Sequence, residues 1–175
     1  MTNATLNKNT QDNKDRFKRG RGRGRERDQR AAPEFDHQVV NIRRVTRVVA
    51  GGRRFSFSAT VVIGDRKGRV GVGLGKSRDT AGAIDKAIKD AQKNLLTLNL
   101  GQAPQSIPHE VEAKFDASRV LIKPASGRGL VAGSSVRLVL EYAGITDVNA
   151  KLLSRTKNKL NNAKATVSAL SQIKF

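Results

Sequence analysis

The sequence has no cysteine, no tryptophan, two histidines and only 4% aromatic residues. Without cysteine there are no disulfides and no thiolate metal sites. His37 and His109 stand far apart with no convergent ligand cluster, so no metal site is expected. Scarce aromatics argue against a stacking platform for single strands, which needs several exposed rings, and Phe55 and Phe57 alternate as core residues do. Long apolar runs are also missing. Nothing approaches the roughly 20 residues that cross a bilayer, and the polar N-terminus lacks the charged-then-apolar pattern of a signal peptide, so neither a membrane span nor secretion is expected. Carboxylates are few: 15 Asp and Glu stand against 34 Lys and Arg, a formal charge of +19 over 175 residues. A polyanion is the expected partner, and nucleic acid, an anionic membrane face and an acidic protein all fit the charge.

What is present falls into segments. Residues 1–34 carry the run FKRGRGRGRERDQR and almost no large aliphatics, so ordering them would cost about 1–2 kcal/mol per residue with little burial to offset it. A disordered basic Arg/Gly-rich tail is expected there. From Phe35 the pattern turns periodic. The Val-rich stretch Val39 to Val49 reads as a strand, Gly51 and Gly52 as a turn, and Phe55, Phe57, Ala59, Val61 and Ile63 as the apolar set of a second strand. After a turn at Asp65 to Gly68, Val70, Val72 and Leu74 alternate with Gly71, Gly73 and Gly75, a third strand with one bare face. Ser77 is the expected cap of a long amphipathic helix carrying Ile84, Ile88, Ala91, Leu95 and Leu98, with Lys86, Lys89 and Lys93 on its outer face.

The segment GQAPQSIP marks a linker at 102–108 between a domain at 35–101 and a second at 109–175. In the second, Val111 to Phe115 and Arg119 to Lys123 read as paired strands. Ser134 or Ser135 is the expected cap of a helix that Gly144 ends, and a further strand and a helix with Leu160, Ala163, Val167 and Leu170 follow. No internal repeat links the units. The fold class is α+β in two small domains.

Motifs that suggest an enzyme fail on spacing. In GLGKS, residues 73–77, a phosphate loop needs glycine where Val70 stands, and a dinucleotide fingerprint would need it at Lys76. The loop PASGRGLVAGSS resembles the phosphate loop of small-molecule kinases of the galactokinase and homoserine kinase type, but two extra residues spoil the match and no carboxylate pair stands near it. No catalytic residue, cofactor or small-molecule substrate is expected. The basic residues are more informative. Arg53 and Arg54 follow the glycine pair at a hairpin tip, with Arg43, Arg44 and Arg47 on the preceding strand, and arginine's fixed fork suits phosphate. Arg19, Arg21, Arg23 and Arg25 form the kind of arginine-glycine segment that binds RNA without a fixed fold. The bare face of Gly71, Gly73 and Gly75 fits either close packing on the helix or a ribose-phosphate chain, and Arg69 and Lys76 beside it favour RNA. Together with Gly51, Gly52, Lys86 and Lys89, these are the expected RNA contacts.

The stretches RVTRVVAGGRRFSFSATVVIGDRKGRVGVGLGKSRDTAGAIDKA and KPASGRGLVAGSSVRLVLEYAGITDV resemble the bacterial-type ribosomal protein S5 family over roughly Phe35 to Ile173. The resemblance implies an N-terminal double-stranded-RNA-binding-like unit, a three-stranded antiparallel sheet plus helix, and a C-terminal unit of the S5 domain 2-like fold. It further implies a cytoplasmic structural constituent of the small ribosomal (30S) subunit, bound to 16S rRNA and to proteins S4 and S8 near the mRNA entry path, with a role in assembly and translational accuracy. By the same resemblance the hairpin enters rRNA, and Gly127, Arg128, Gly129, Gly133 and Arg137 face S4. The chain departs from the family pattern in a GRGLVAGSSVR loop one residue shorter than usual, in Ser134 where glycine is common, in Lys159 where proline is usual, and in the arginine-rich N-terminal extension. A free RNA chaperone is the alternative, sharing the charge without a fixed docking surface.

Overall fold

The structure, a computed structural model, describes residues 34–98 and 106–173. Two four-stranded sheets and three helices make up these residues. Strands β1 (Asp36–Val49), β2 (Gly52–Gly64) and β3 (Arg69–Ser77) pair antiparallel in chain order, followed by helix α1 (Thr80–Lys93) and strand β4 (Leu95–Thr97). The second half runs β5 (Val111–Phe115), β6 (Ser118–Pro124), β7 (Leu130–Val131), α2 (Ser134–Ala143), β8 (Val148–Leu152) and α3 (Lys159–Ser171), with sheet order β5-β6-β8-β7.

The bare face of β3 is the seat of α1. Ala83, Ala87 and Ala91, one turn apart, are fully buried against it. A Cβ on Gly73 would lie 2.1 Å from the Ala87 carbonyl oxygen and 2.4 Å from the Ala91 nitrogen, and one on Gly75 would lie 2.1 Å from the Ala83 carbonyl oxygen. Glycine on the strand and alanine on the helix thus let two backbones touch. Gly71, Gly73 and Gly75 are therefore covered, and their expected role as RNA contacts is corrected: no ribose-phosphate chain can enter where the helix backbone lies.

Helix α1 is shorter than its leucine spacing suggests. Asn94 leaves helical geometry, its side-chain amide donates to the Asp90 carbonyl at 3.0 Å, and Leu95–Thr97 becomes a fourth strand on the open edge of β3. The unpaired backbone groups of that edge outcompete helix continuation, since buried N–H and C=O groups need partners. Leu98 remains buried all the same. At the other end Asp79, not Ser77, occupies the N-cap position, and it makes no side-chain cap bond.

Strands β2 and β3 are buried on both faces. Val61 and Ile63 meet α1, while Val62, Val70 and Val72 join one core with Val120, Ile122, Val136, Leu140, Ile145 and Leu170 of the second half. This two-sided burial explains the unbroken buried run Ala59 to Ile63, where simple alternation would turn Thr60 and Val62 outward.

The turn between β2 and β3 fastens the halves together. The backbone N–H groups of Arg66 and Gly68 donate to the carbonyls of Tyr142 and Ala143, each at 3.0 Å, supplying partners for the last turn of α2. The backbones meet so closely that a Cβ on Gly64 would lie 2.3 Å from the Tyr142 carbonyl oxygen. Gly144 ends α2 in the left-handed conformation, as its position predicts. The start of α2 differs from expectation: Gly133 sits at the N-cap, Ser134 is the first helical residue and Ser135 is buried. Helix α3 starts at Lys159, and the Asn158 side chain caps it by accepting from the Leu160 N–H at 3.2 Å.

Candidate nucleic-acid interface

The first hairpin outgrows its sheet. Strand β3 pairs with β2 only from Phe57 inward, so residues 45–56 form a two-stranded arm whose strands pair only with each other. Ala50 and Gly51 form its turn, and Gly52, with φ +129°, supplies the backbone conformation needed to start the return strand. No carboxylate occurs from His37 to Gly64, whereas Arg43, Arg44, Arg47, Arg53 and Arg54 all lie there and all are exposed.

Register decides which cations share a face. Arg47 stands directly opposite Arg54, and Arg43 opposite Ser58 on the same side. Val48 opposes Arg53 on the other side, with Arg44 and Phe55 nearby. Like charges directly opposed across a strand pair destabilise it unless something neutralises them. The arm therefore concentrates positive charge, and among the described residues none of its arginines forms an ion pair with a carboxylate.

At the root of the Arg43 face a groove of about 230 Å³ opens between the first sheet and the start of α3, lined in part by Arg43, Ser58, Thr60, Lys76 and Asn158. The Lys159 ammonium donates to the Val40 carbonyl at 3.4 Å beside it. Lys86 and Lys89 are exposed on α1, and the Lys86 ammonium reaches the Lys76 carbonyl at 3.3 Å. The structure thus brings Lys76 and Arg43 together and sets Lys86 and Lys89 on the flank.

Arg69 is already ion-paired within the fold. Its guanidinium donates to Asp65 Oδ2 at 2.7 Å and Glu34 Oε1 at 2.9 Å and lies over the Phe35 ring. Burial works against the charged form of Asp65, but the Arg69 guanidinium and the N–H groups of Lys67 and Arg69 outweigh it and hold the carboxyl below its ordinary range. The Asp65 and Glu34 carboxylates in turn raise the Arg69 pKa. This cation shapes the turn that clamps α2, and its side chain remains 40% exposed.

Phe55 is a correction. Its ring is 47% exposed, with the Arg44 guanidinium 4.7 Å from its centroid, and it belongs to neither buried cluster. Alternation matches a core strand because the arm keeps the period of the sheet after leaving the layers that would cover it.

Arg19, Arg21, Arg23 and Arg25 lie outside the described residues, as does part of the 102–108 linker. In the second half, Gly127 and Gly129 take positive φ in an exposed loop, and the Gly129 N–H donates to Asp147 Oδ1 at 3.1 Å. Arg128 and Arg137 are exposed nearby, and Val131 is 52% exposed. Among the described residues there is no cluster of metal-ligating side chains, and no helix is long and apolar enough to cross a membrane.

Residues 35–99 match the family described as ribosomal protein S5, N-terminal domain, and residues 113–175 match ribosomal protein S5, C-terminal domain. The small ribosomal subunit protein uS5 of Mesomycoplasma hyopneumoniae is 46% identical over 149 residues, covering 85% of this chain and 68% of the relative. The chain belongs to the ribosomal protein S5 family. Further uS5 relatives are those of Mycoplasmopsis agalactiae, 51% identical over 142 residues (81% of this chain, 61% of the relative), and Gloeobacter violaceus, 50% identical over 145 residues (82% and 64%). The chain spans less than two thirds of the length of these last two relatives. The S5 N-terminal match takes in the arm, α1 and the glycine strand, and the C-terminal match takes in the glycine loop and α3.

Proposed function

We propose that the protein is a structural, non-catalytic constituent of the small ribosomal subunit in the cytoplasm, binding 16S rRNA through the arginine arm and the cations at its root. The observation that carries this reading is the Arg47–Arg54 pair, opposed on an arm without a single carboxylate. RNA phosphates relieve that repulsion, and arginine forks grip them bidentately. The shared core and the turn-to-helix clamp hold the arm on one rigid base, which suits a protein that fixes converging RNA helices. In this reading Gly51 and Gly52 let the backbone at the tip approach RNA closely, and Lys76, Lys86 and Lys89 meet phosphates beside the arm. Membership of the S5 family supports the reading.

The exposed loop with Gly127, Arg128, Gly129, Gly133 and Arg137 faces protein S4, and S8 is a second neighbour. The protein lies near the mRNA entry path and supports assembly and translational accuracy. The division into domains at 35–101 and 109–175 belongs to the same reading, with the Arg19 to Arg25 segment adding RNA contacts.

Replacing Arg53 and Arg54 together with alanine tests the arm. Binding to a 16S rRNA transcript is expected to weaken, and the slope of log affinity against log salt to shrink by about 0.7–0.9 for each phosphate no longer neutralised. Thermal stability should hold, because both side chains are exposed near a turn. An unchanged slope with unchanged incorporation into subunits would remove the arm from the interface.

A further inference from the structure

We infer that the arm also carries a base-stacking contact: the Phe55 ring, seated beside Arg44, takes the face of an unpaired RNA base. The inference rests on the RNA-binding reading of the arm and deepens it, from phosphate attraction alone to recognition of an unpaired nucleotide.

Phe55 contributes to neither core, yet it is nearly half exposed among arginines. On the same face Val48 is 74% exposed and Ile42 44% exposed, so the ring sits in an apolar stripe along one side of a cationic arm. Hydrophobic surface of this kind adds nothing to folding where no second layer covers it. The Arg44 guanidinium lies over one face of the ring, 4.7 Å from its centroid, and holds the ring in place, so a base meets the opposite face. A base presents an apolar face and carries its phosphate at the rim. Phe55 therefore meets the base while Arg44 and Arg53, on the same side, meet the flanking phosphates. An apolar protein surface would match the stripe but would leave these guanidinium groups without counter-charge. Bases inside a duplex cannot offer a face, so the partner is a nucleotide splayed from a loop or bulge.

The test compares binding of the full chain to a folded 16S rRNA transcript and to a perfect RNA duplex across a salt series. Phe55→Val keeps a strand-forming residue at the position and removes the ring. It is expected to lose about tenfold in affinity for the transcript, the scale of one base–aromatic stack, with no change on the duplex and no change in salt slope. Phe55→Tyr, which keeps a ring, is expected to retain affinity on both. Equal affinity of Phe55→Val and the parent chain for the transcript would overturn the inference. So would an equal loss on the duplex, because the ring would then support the shape of the arm. If Arg53→Ala with Arg54→Ala flattens the salt slope while Phe55→Val is silent, the stack is wrong and the arm stands. If neither change has an effect, the RNA reading of the arm itself is wrong.

Discussion

Gly73→Ala carries the largest expected loss of folding stability, about 3 kcal/mol or more, at the upper end of what overpacking costs. The added methyl would sit 2.1 Å from the Ala87 carbonyl oxygen and 2.4 Å from the Ala91 nitrogen. Both atoms belong to the helix backbone, so no side-chain rotation relieves the contact and α1 must lift as a unit. Lifting it strips cover from Val61 and Ile63, the core on that side of the sheet. Against a total stability of about 5–15 kcal/mol for a domain, this is a large fraction of what holds the fold together. Urea denaturation followed by circular dichroism measures the effect. Gly51→Ala is the control: nothing lies within 4 Å of the added carbon there, and the change should stay within about 0.5 kcal/mol. A parent-like midpoint for Gly73→Ala would mean that the helix does not lie on this strand.

Gly144→Ala carries the second large effect, because two costs fall on one atom. The residue has φ +86°, which costs an alanine about 1–2 kcal/mol. Its Cβ would also lie 2.3 Å from the Arg66 carbonyl oxygen, in the turn that clamps α2. Together the expected loss is about 3 kcal/mol. Since Val62, Val70 and Val72 share a core with Leu140 and Ile145, the urea transition should remain single and move to lower concentration. Two separated transitions would show that the halves unfold independently and that the common core contributes little.

The first three strands, the two glycine-marked turns and the end of α2 at Gly144 are legible in the sequence, because each depends on a local rule of alternation or backbone conformation. What stays concealed depends on contacts between distant elements. Gly71, Gly73 and Gly75 permit close approach of any backbone, and only the position of Ala83, Ala87 and Ala91 shows that the backbone is a helix of the same chain. Leu95 and Leu98 keep helical spacing, but the open edge of β3 captures the segment instead. Arg69 reads in sequence as a free cation, whereas the fold brings Glu34 and Asp65 to meet it.

The arm is half legible. Its arginines stand out in sequence, whereas the exposure of Phe55 follows from where β3 stops pairing, a length mismatch that no local pattern records. One signal that does stand in the sequence is the absence of carboxylates from His37 to Gly64, which leaves the charge of that stretch purely cationic.

The most direct test of the central claim uses the absence of native cysteine, which makes a single introduced thiol the only labelling site. Ala50→Cys places that thiol in the turn of the arm, at an exposed residue beside the glycine pair. With iron–EDTA tethered there and the protein reconstituted into small subunits, hydroxyl radicals are expected to cut 16S rRNA in a compact cluster of positions. Subunits that contain the labelled protein but show no rRNA cleavage from position 50 would contradict the account.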